Sequence, residues 1–268
     1  MIDDIKTKAR RAGVPPSTVE KDYVISIVLR EIWRYGIWRN LVFKGGTALR
    51  KVYFPDYRFS EDMDFNLIDG EIEDIVEVLE KPSYGEVEFF DPELRERRGK
   101  RYHTGRIVGY EIRIPYYFLR RSGEPAKIRM DISVGKYEEM VLEPVERSIF
   151  HDYMDSEAFS RVKVLAYSLE EIMAEKIRTI FQRVGRPRDI YDIWYIYRYA
   201  DMETVLSVIG SKFRAKGAKF IPEKLENSEE IYRYNWKKLR ILVGEVPEFQ
   251  EVWSVVLKIC DNLNEVMP

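Results

Sequence analysis

Residues 41–67 read LVFKGGTALRKVYFPDYRFSEDMDFNL, and the order of features in this stretch decides the fold. Leu41-Val42-Phe43 is an apolar run of the kind that ends a short buried strand. Gly45-Gly46-Thr47 follows at once and leads into the helix-compatible Ala48-Leu49-Arg50-Lys51-Val52. A strand that breaks at paired glycines before a helix leaves backbone N–H groups free to hold an anion. Asp62-Met63-Asp64-Phe65-Asn66-Leu67 then alternates strictly. Side chains on a strand alternate faces, so Asp62, Asp64 and Asn66 share one face while Met63, Phe65 and Leu67 point inward. Neighbouring carboxylates repel each other, and a divalent cation relieves the repulsion. A phosphate cradle beside such a pair is the equipment of metal-assisted chemistry on a nucleotide. Alone, a Gly-Gly is usually a tight turn and an Asp-x-Asp a solvated strand face, so the weight rests on their combination.

The 268-residue chain can bury a substantial core, in one large domain or two closely packed ones. Its hydrophobic share of 45% and charged share of 34% describe a soluble globular protein. With a net charge of −2 there is no global polycation, so any nucleic-acid surface must be a local patch. No apolar run approaches membrane-spanning length, and MIDDIKTKARR at the start lacks a signal-peptide core. The single cysteine, Cys260, excludes an internal disulfide framework and fits a reducing cytoplasm. With only His103 and His151 beside it, a Cys/His zinc cluster is not available. A catalytic metal would therefore be a hard cation on oxygen ligands, Mg²⁺ or Mn²⁺.

Around the central stretch, residues 17–35 read as a helix, with Ser17 and Glu20 in a capping-box pattern. Glu71 to Lys81 reads as a short helix. Arg106 to Leu119 and Ala126 to Val134 read as a hairpin turning near Ser122-Gly123-Glu124-Pro125. Asp131 falls on the polar face of the returning strand, either as an ordinary exposed residue or as a third carboxylate for the first pair. Arg95, Arg97, Arg98, Lys100, Arg101 and Arg106 read as a solvated loop that could also hold a polyanion. The alternation fades over residues 136–168, which places a domain boundary near residue 155: a catalytic core over 1–155 and a helical domain over 156–268. Ser168 and Glu171 form a second capping box, opening a helix to about Val184. In that helix Leu169, Ile172, Met173, Ile177 and Ile180 make one apolar arc, and Glu171, Glu175, Arg178 and Gln182 take the opposite side. Lys176 lies within the apolar arc, where it either snorkels or meets an anion such as phosphate. Pro187 suits the first turn of the next helix, and Asp189 and Asp192 favour its positive end. Arg183, Arg186, Arg188 and Arg198 leave a basic surplus from 176 to 198. Three further helices, near 202–212, 228–243 and 248–265, look like scaffold, with Cys260 in their core.

The blocks VEKDYVI (19–25), FKGGTALRKVY (43–53) with RFSEDMDF (58–65), MDIS (130–133), and EEIMAEKIRTI with RPRDIYDIWYI (170–180 and 186–196) resemble, in the same order, the AbiEii/AbiGii toxin family. These are the nucleotidyltransferase halves of type IV toxin–antitoxin pairs. The resemblance implies an α+β fold: a nucleotidyltransferase-like mixed sheet with flanking helices, and a helical C-terminal part closing a cleft. It implies that Gly45, Gly46 and Thr47 hold the triphosphate of an NTP, supported by Ser60 and Arg58. Asp62 and Asp64 would bind Mg²⁺ or Mn²⁺, with Asp131 the less secure third ligand. Lys176 would contact phosphate, and Asp189 would position the base, Lys176 or the acceptor. The expected reaction is two-metal transfer of a nucleoside monophosphate to an acceptor hydroxyl. RNA, tRNA above all, is the acceptor the family suggests, and a cognate antitoxin is an expected partner. The alternatives are a nucleotidyltransferase acting on a small molecule such as an antibiotic, and a non-catalytic nucleotide- or RNA-binding protein of the same fold.

Overall fold

Period-two alternation around the carboxylates builds a sheet. In the computed structural model, which describes residues 1–80, 82–99, 106–134 and 140–267, the chain divides into two compact units. The first comprises Met1–Glu138 with Pro144–Ala166, and the second Glu139–Glu143 with Tyr167–Pro268.

The first unit opens with α1 (Ile2–Ala12) and α2 (Pro16–Arg34). β1 (Leu41–Lys44) passes into α3 (Gly45–Ala48) and a π-helical turn over Leu49–Tyr53. β2 (Asp62–Leu67) is followed by α4 (Ile72–Glu80), β3 (Glu88–Phe89), β4 (Glu93–Arg98), β5 (Ile107–Tyr117), β6 (Ala126–Val134), β7 (Val145–Ser148) and β8 (Lys163–Ala166). Among the described residues the sheet runs β3-β5-β6-β2-β1-β8-β7, with β4 also pairing β5. β2 is antiparallel to β1 but parallel to β6, and β1 is parallel to β8, so the sheet is mixed as expected. Its apolar face is closed by Met63, Phe65, Ile112, Ile114, Ile128, Met130 and Ile132, all buried. Phe43 stacks on Phe65 with ring centroids 4.8 Å apart.

Several local expectations change. α1 escapes a reading by periodicity because only Ile5 and Ala9 are buried in an otherwise charged helix. Ser17 does not cap α2, whose N-cap is Pro15; Glu20 is buried and accepts instead from the Leu119 N–H at 2.8 Å. The basic run is not a loop over Arg95–Arg98 but the strand β4, paired antiparallel with β5. Charges on both faces of an outer strand hide it from pattern reading, and they also protect the exposed edge from further pairing. Lys100, Arg101 and His103 lie outside the described residues, as do Lys81 and Lys136. Residues 163–166, assigned on sequence to the helical part, form β8 in the sheet. A strand of four residues is too short for its alternation to register.

Behind the sheet lies a polar cluster that the sequence does not advertise. Asp22 on α2 is buried and bonds Arg50 Nε at 2.7 Å, Lys51 Nζ at 2.7 Å and the Tyr153 hydroxyl at 2.8 Å. Nearby, His151 Nε2 lies 2.9 Å from Asp155, and its ring stacks on Phe159 at 3.6 Å. Burial lowers the His151 pKa to about 4, outweighing the nearby Asp155 carboxylate. The ring is therefore neutral in the fold but takes up a proton in the unfolded chain below about 6.5. Its contribution is complete above pH 6.5 and is lost as pH falls toward 4, amounting to about 3 kcal/mol. Urea unfolding at pH 7 and pH 4 should show this loss, and His151→Gln should flatten the acid limb by a similar amount.

The second unit is helical: α5 (Leu169–Gln182), α6 (Pro187–Ile196), α7 (Met202–Lys216), α8 (Pro222–Glu226), α9 (Glu229–Asn235), α10 (Arg240–Val243) and α11 (Phe249–Val266). Ser168 caps α5 as predicted, accepting from the Glu171 N–H at 3.1 Å. The supposed polar side of α5 is a second buried face, however. Glu171 is fully buried, pairs with Lys212 of α7, and accepts from the Val141 and Leu142 N–H groups at 3.0 and 3.1 Å. Arg178 is buried as well. The reason is that α7 packs over the side left free by the apolar arc. Cys260 sits in the α11 core, where burial pushes its thiol up to about 12 and leaves it unreactive.

Candidate active site

β1 ends at Lys44, and the chain turns through Gly45 at φ +79°, a conformation that favours glycine. The turn is also crowded. A Cβ placed on Gly45 would lie 2.5 Å from Asp64 Oδ2, so the Asp64 carboxylate rests directly against the backbone of the turn. This close approach follows from the register, in which Lys44 pairs with Asp64 across β1 and β2. A Cβ on Gly46 would meet Arg58 Nη2 at 2.7 Å and Ser60 Oγ at 3.3 Å. Gly45 is required by its backbone conformation and by the close approach of Asp64, and the Arg58 and Ser60 side chains lie beside Gly46. Arg58 is buried, and its Nη1 donates to the Phe59 carbonyl at 3.0 Å. Thr47 is buried, and its hydroxyl donates to the Asp62 carbonyl, tying the turn to β2. In this fold that hydroxyl serves as a strut between the turn and β2. Gly45→Ala is expected to shift Asp64 and lower activity about 10²-fold, since an ångström of misplacement is that costly. Steady-state kinetics beside a thermal melt checks this.

The parallel pairing of β2 with β6 sets Asp64 beside Asp131 and Asp62 beside Arg129. Arg129 Nη2 bonds Asp62 Oδ2 at 2.8 Å, and its Nε lies 3.3 Å from Asp131 Oδ2. Arg97 Nη1, from β4, approaches Asp131 Oδ1 at 3.3 Å. Burial raises the Asp131 pKa despite the two guanidinium groups. Sequence reasoning missed Arg129 as a site residue; its signal was its place two residues before Asp131 on the same strand face.

The carboxylates can be tested against a metal on this geometry. Among the described residues no three His, Cys, Asp or Glu side chains are grouped as a ready ligand set. Asp131 in particular is held in ion pairs with Arg97 and Arg129, which argues against the closed trio considered on sequence. Asp62 and Asp64 remain two oxygen donors on one strand face, beside a turn suited to phosphate. That pair fits Mg²⁺ or Mn²⁺, because Mg²⁺ is commonly held by one or two carboxylates together with waters and substrate phosphates. Arg129 also pairs with Asp62, at 2.8 Å, so a divalent cation on Asp62 would compete with that guanidinium.

The second unit brings together the other two candidates. Lys176 Nζ lies 2.7 Å from Asp192 Oδ2 and 3.5 Å from Asp189 Oδ1, and both carboxylates are fully buried. Arg183 Nε is 3.2 Å from Asp189 Oδ2. The anion that meets Lys176 in the fold is therefore supplied by α6. The two aspartates do more than complement the helix dipole: they hold a largely buried ammonium in one position.

The family described as "Nucleotidyl transferase AbiEii toxin, Type IV TA system" matches residues 27–254. The chain belongs to this family. As an AbiEii protein it is a nucleotidyltransferase of the toxin–antitoxin type. The fold agrees: MenT4, a nucleotidyltransferase toxin from Mycobacterium tuberculosis H37Rv, superposes with a TM-score of 0.74 at 21% identity, covering 99% of this chain and 90% of that one. An antigenic nucleotidyltransferase-like protein from Paracoccidioides brasiliensis is more distant, with a TM-score of 0.42 at 16% identity over 80% of this chain and 92% of that one. No match is found among curated protein sequences. Among the described residues of this AbiEii protein, no helix is long and apolar enough to cross a membrane.

Proposed function

We propose that this protein transfers a nucleoside monophosphate from an NTP to a hydroxyl of RNA, with tRNA the acceptor. The observation that supports this most directly is the Asp64 carboxylate lying against the Gly45 turn. Carboxylate and phosphate cradle are then parts of one site. In the reaction the acceptor oxygen forms a bond to the α-phosphorus and the bond to the β-phosphate oxygen breaks. Pyrophosphate leaves, and the hydroxyl proton passes to solvent.

The N–H groups of Gly45 and Gly46 face the triphosphate, and Arg58 and Ser60 above Gly46 fix its orientation. Asp62 and Asp64 would hold Mg²⁺ or Mn²⁺, which when bound lowers the acceptor's pKa and relieves charge on the leaving group. Arg129 and Arg97 keep Asp131 neutralised and so limit repulsion on the strand face. Within the second unit, Asp189 and Asp192 hold the Lys176 ammonium in one position. Most of the rate enhancement then comes from placement and fixed charge. A partner antitoxin would restrain the activity in the cell, as type IV pairs imply.

The experiment incubates the protein with each NTP, α-labelled or γ-labelled, Mg²⁺ and bulk tRNA. Transfer predicts α-label on RNA and γ-label released as pyrophosphate. Label on a small molecule, or none at all with any NTP, would contradict the RNA reading. Lys176→Arg keeps the charge but shifts its position. It is expected to reduce transfer about 10²-fold while leaving tRNA affinity unchanged, which parallel kinetics and binding measurements check.

A further inference from the structure

β1 leads to Gly45 at one end, and at the other it is preceded by the 3₁₀ turn Ile37–Arg39. β8 runs parallel to β1, so Lys163 at its start lies at that second end too. There the end of α2, the 3₁₀ turn, β8 and the edge strand β7 line an open cavity of about 640 Å³. Its walls carry Trp33, Arg34, Arg39, Arg161 and Lys163, against a single carboxylate from Glu146. That carboxylate is already taken by Lys163 at 2.6 Å, and Arg34 is drawn to Glu31 at 3.3 Å. Arg39 lies over the buried Trp38 ring, 4.4 Å from its centroid. Neither Arg39 nor Arg161 makes an ion pair among the described residues, and both are exposed. Trp33 is half-buried and lines the cavity.

We propose that this cavity binds a single-stranded segment of RNA, one base stacking on Trp33 and the flanking phosphates meeting Arg39 and Arg161. An aromatic platform beside cations not held in ion pairs is how proteins bind single-stranded nucleic acid without reading its sequence. The volume lies within the range of sites for molecules of nucleotide size. The chain carries a net charge of −2, so this cationic concentration is local and not a reflection of a basic protein. An acidic peptide would use the arginines but has no need of the indole. The inference rests on the RNA-acceptor reading and adds to it an anchoring surface at the end of the strand remote from the glycine turn.

The test measures tRNA binding by fluorescence anisotropy across a salt series, for the full chain, the double variant Arg39→Gln/Arg161→Gln, and Trp33→Leu. The double variant is expected to bind at least about 10-fold more weakly, with the slope of log affinity against log salt reduced by about two. Trp33→Leu is expected to weaken binding with the slope unchanged, since stacking releases no counterions. Polyglutamate serves as the acidic-peptide probe and is expected not to compete. Because the arginines are exposed, the double variant carries the test even if Trp33→Leu folds poorly. Unchanged affinity and slope would overturn the proposal, as would a wild-type chain that binds no tRNA, or polyglutamate displacing tRNA. Labelled-NTP transfer, run in parallel, separates the two readings. Label on RNA with an unaltered salt slope removes only the groove; a reduced slope without transfer removes only the acceptor.

Discussion

Asp62→Asn combined with Asp64→Asn is expected to reduce nucleotide transfer by at least about 10³-fold, the scale seen when a fixed charge at the reacting centre is removed. The two carboxylates share one face of β2, and Asp64 lies against the turn that would hold the triphosphate. Asparagine keeps the shape and the hydrogen bond to Arg129 but removes the charge that would hold a divalent cation. Neither position lies in the apolar core, so the melting temperature should stay within about 3 °C of wild type. Each single variant should show nearly the full loss, because groups that act on one centre are not additive. Rates near wild type in the folded double variant would remove the site from the account.

Asp22→Ala is expected to produce the largest loss of stability, about 3–5 kcal/mol, without touching the candidate site. The substitution leaves Lys51 fully buried beside Arg50 with no counter-charge. Burial already lowers the Lys51 pKa to about 8 even with Asp22 in place. Without Asp22 it falls further, so the folded variant binds fewer protons than the unfolded chain over neutral pH. The stability of Asp22→Ala should therefore rise as pH increases, until Lys51 in the unfolded chain also titrates near 10.5. Adding Lys51→Met should recover part of the loss, since an apolar replacement of a buried pair is often tolerated. Urea unfolding of the single and double variants at pH 7 and pH 9 checks both signs.

What could be read in the sequence, and what could not, follows the range of the interactions. The Gly-Gly turn and Asp-x-Asp strand are local patterns, and the register that joins them is set by the short reach between β1 and β2. The hairpin of β5 and β6 is read for the same reason, since its turn and alternation lie within one stretch. Asp22 was opaque because its partners stand 28, 29 and 131 residues away and no pattern on α2 separates it from a surface aspartate. Glu171 was misread because amphipathicity reveals one buried face, and nothing in α5 shows that α7 covers the other. β4 was lost to its own charge. Arg129 was overlooked because sequence reasoning matched carboxylates with a metal and not with an arginine two residues from one of them.

The central claim is that Asp62 and Asp64 hold a divalent cation against a nucleotide gripped at Gly45 and Gly46. Electron paramagnetic resonance of Mn²⁺, titrated with a non-hydrolysable NTP, measures this directly and does not depend on knowing the acceptor. Wild-type protein should bind Mn²⁺ and nucleotide cooperatively, and Asp62→Asn/Asp64→Asn should lose the nucleotide-dependent Mn²⁺ signal. Equal Mn²⁺ binding by wild type and the double variant would contradict the claim.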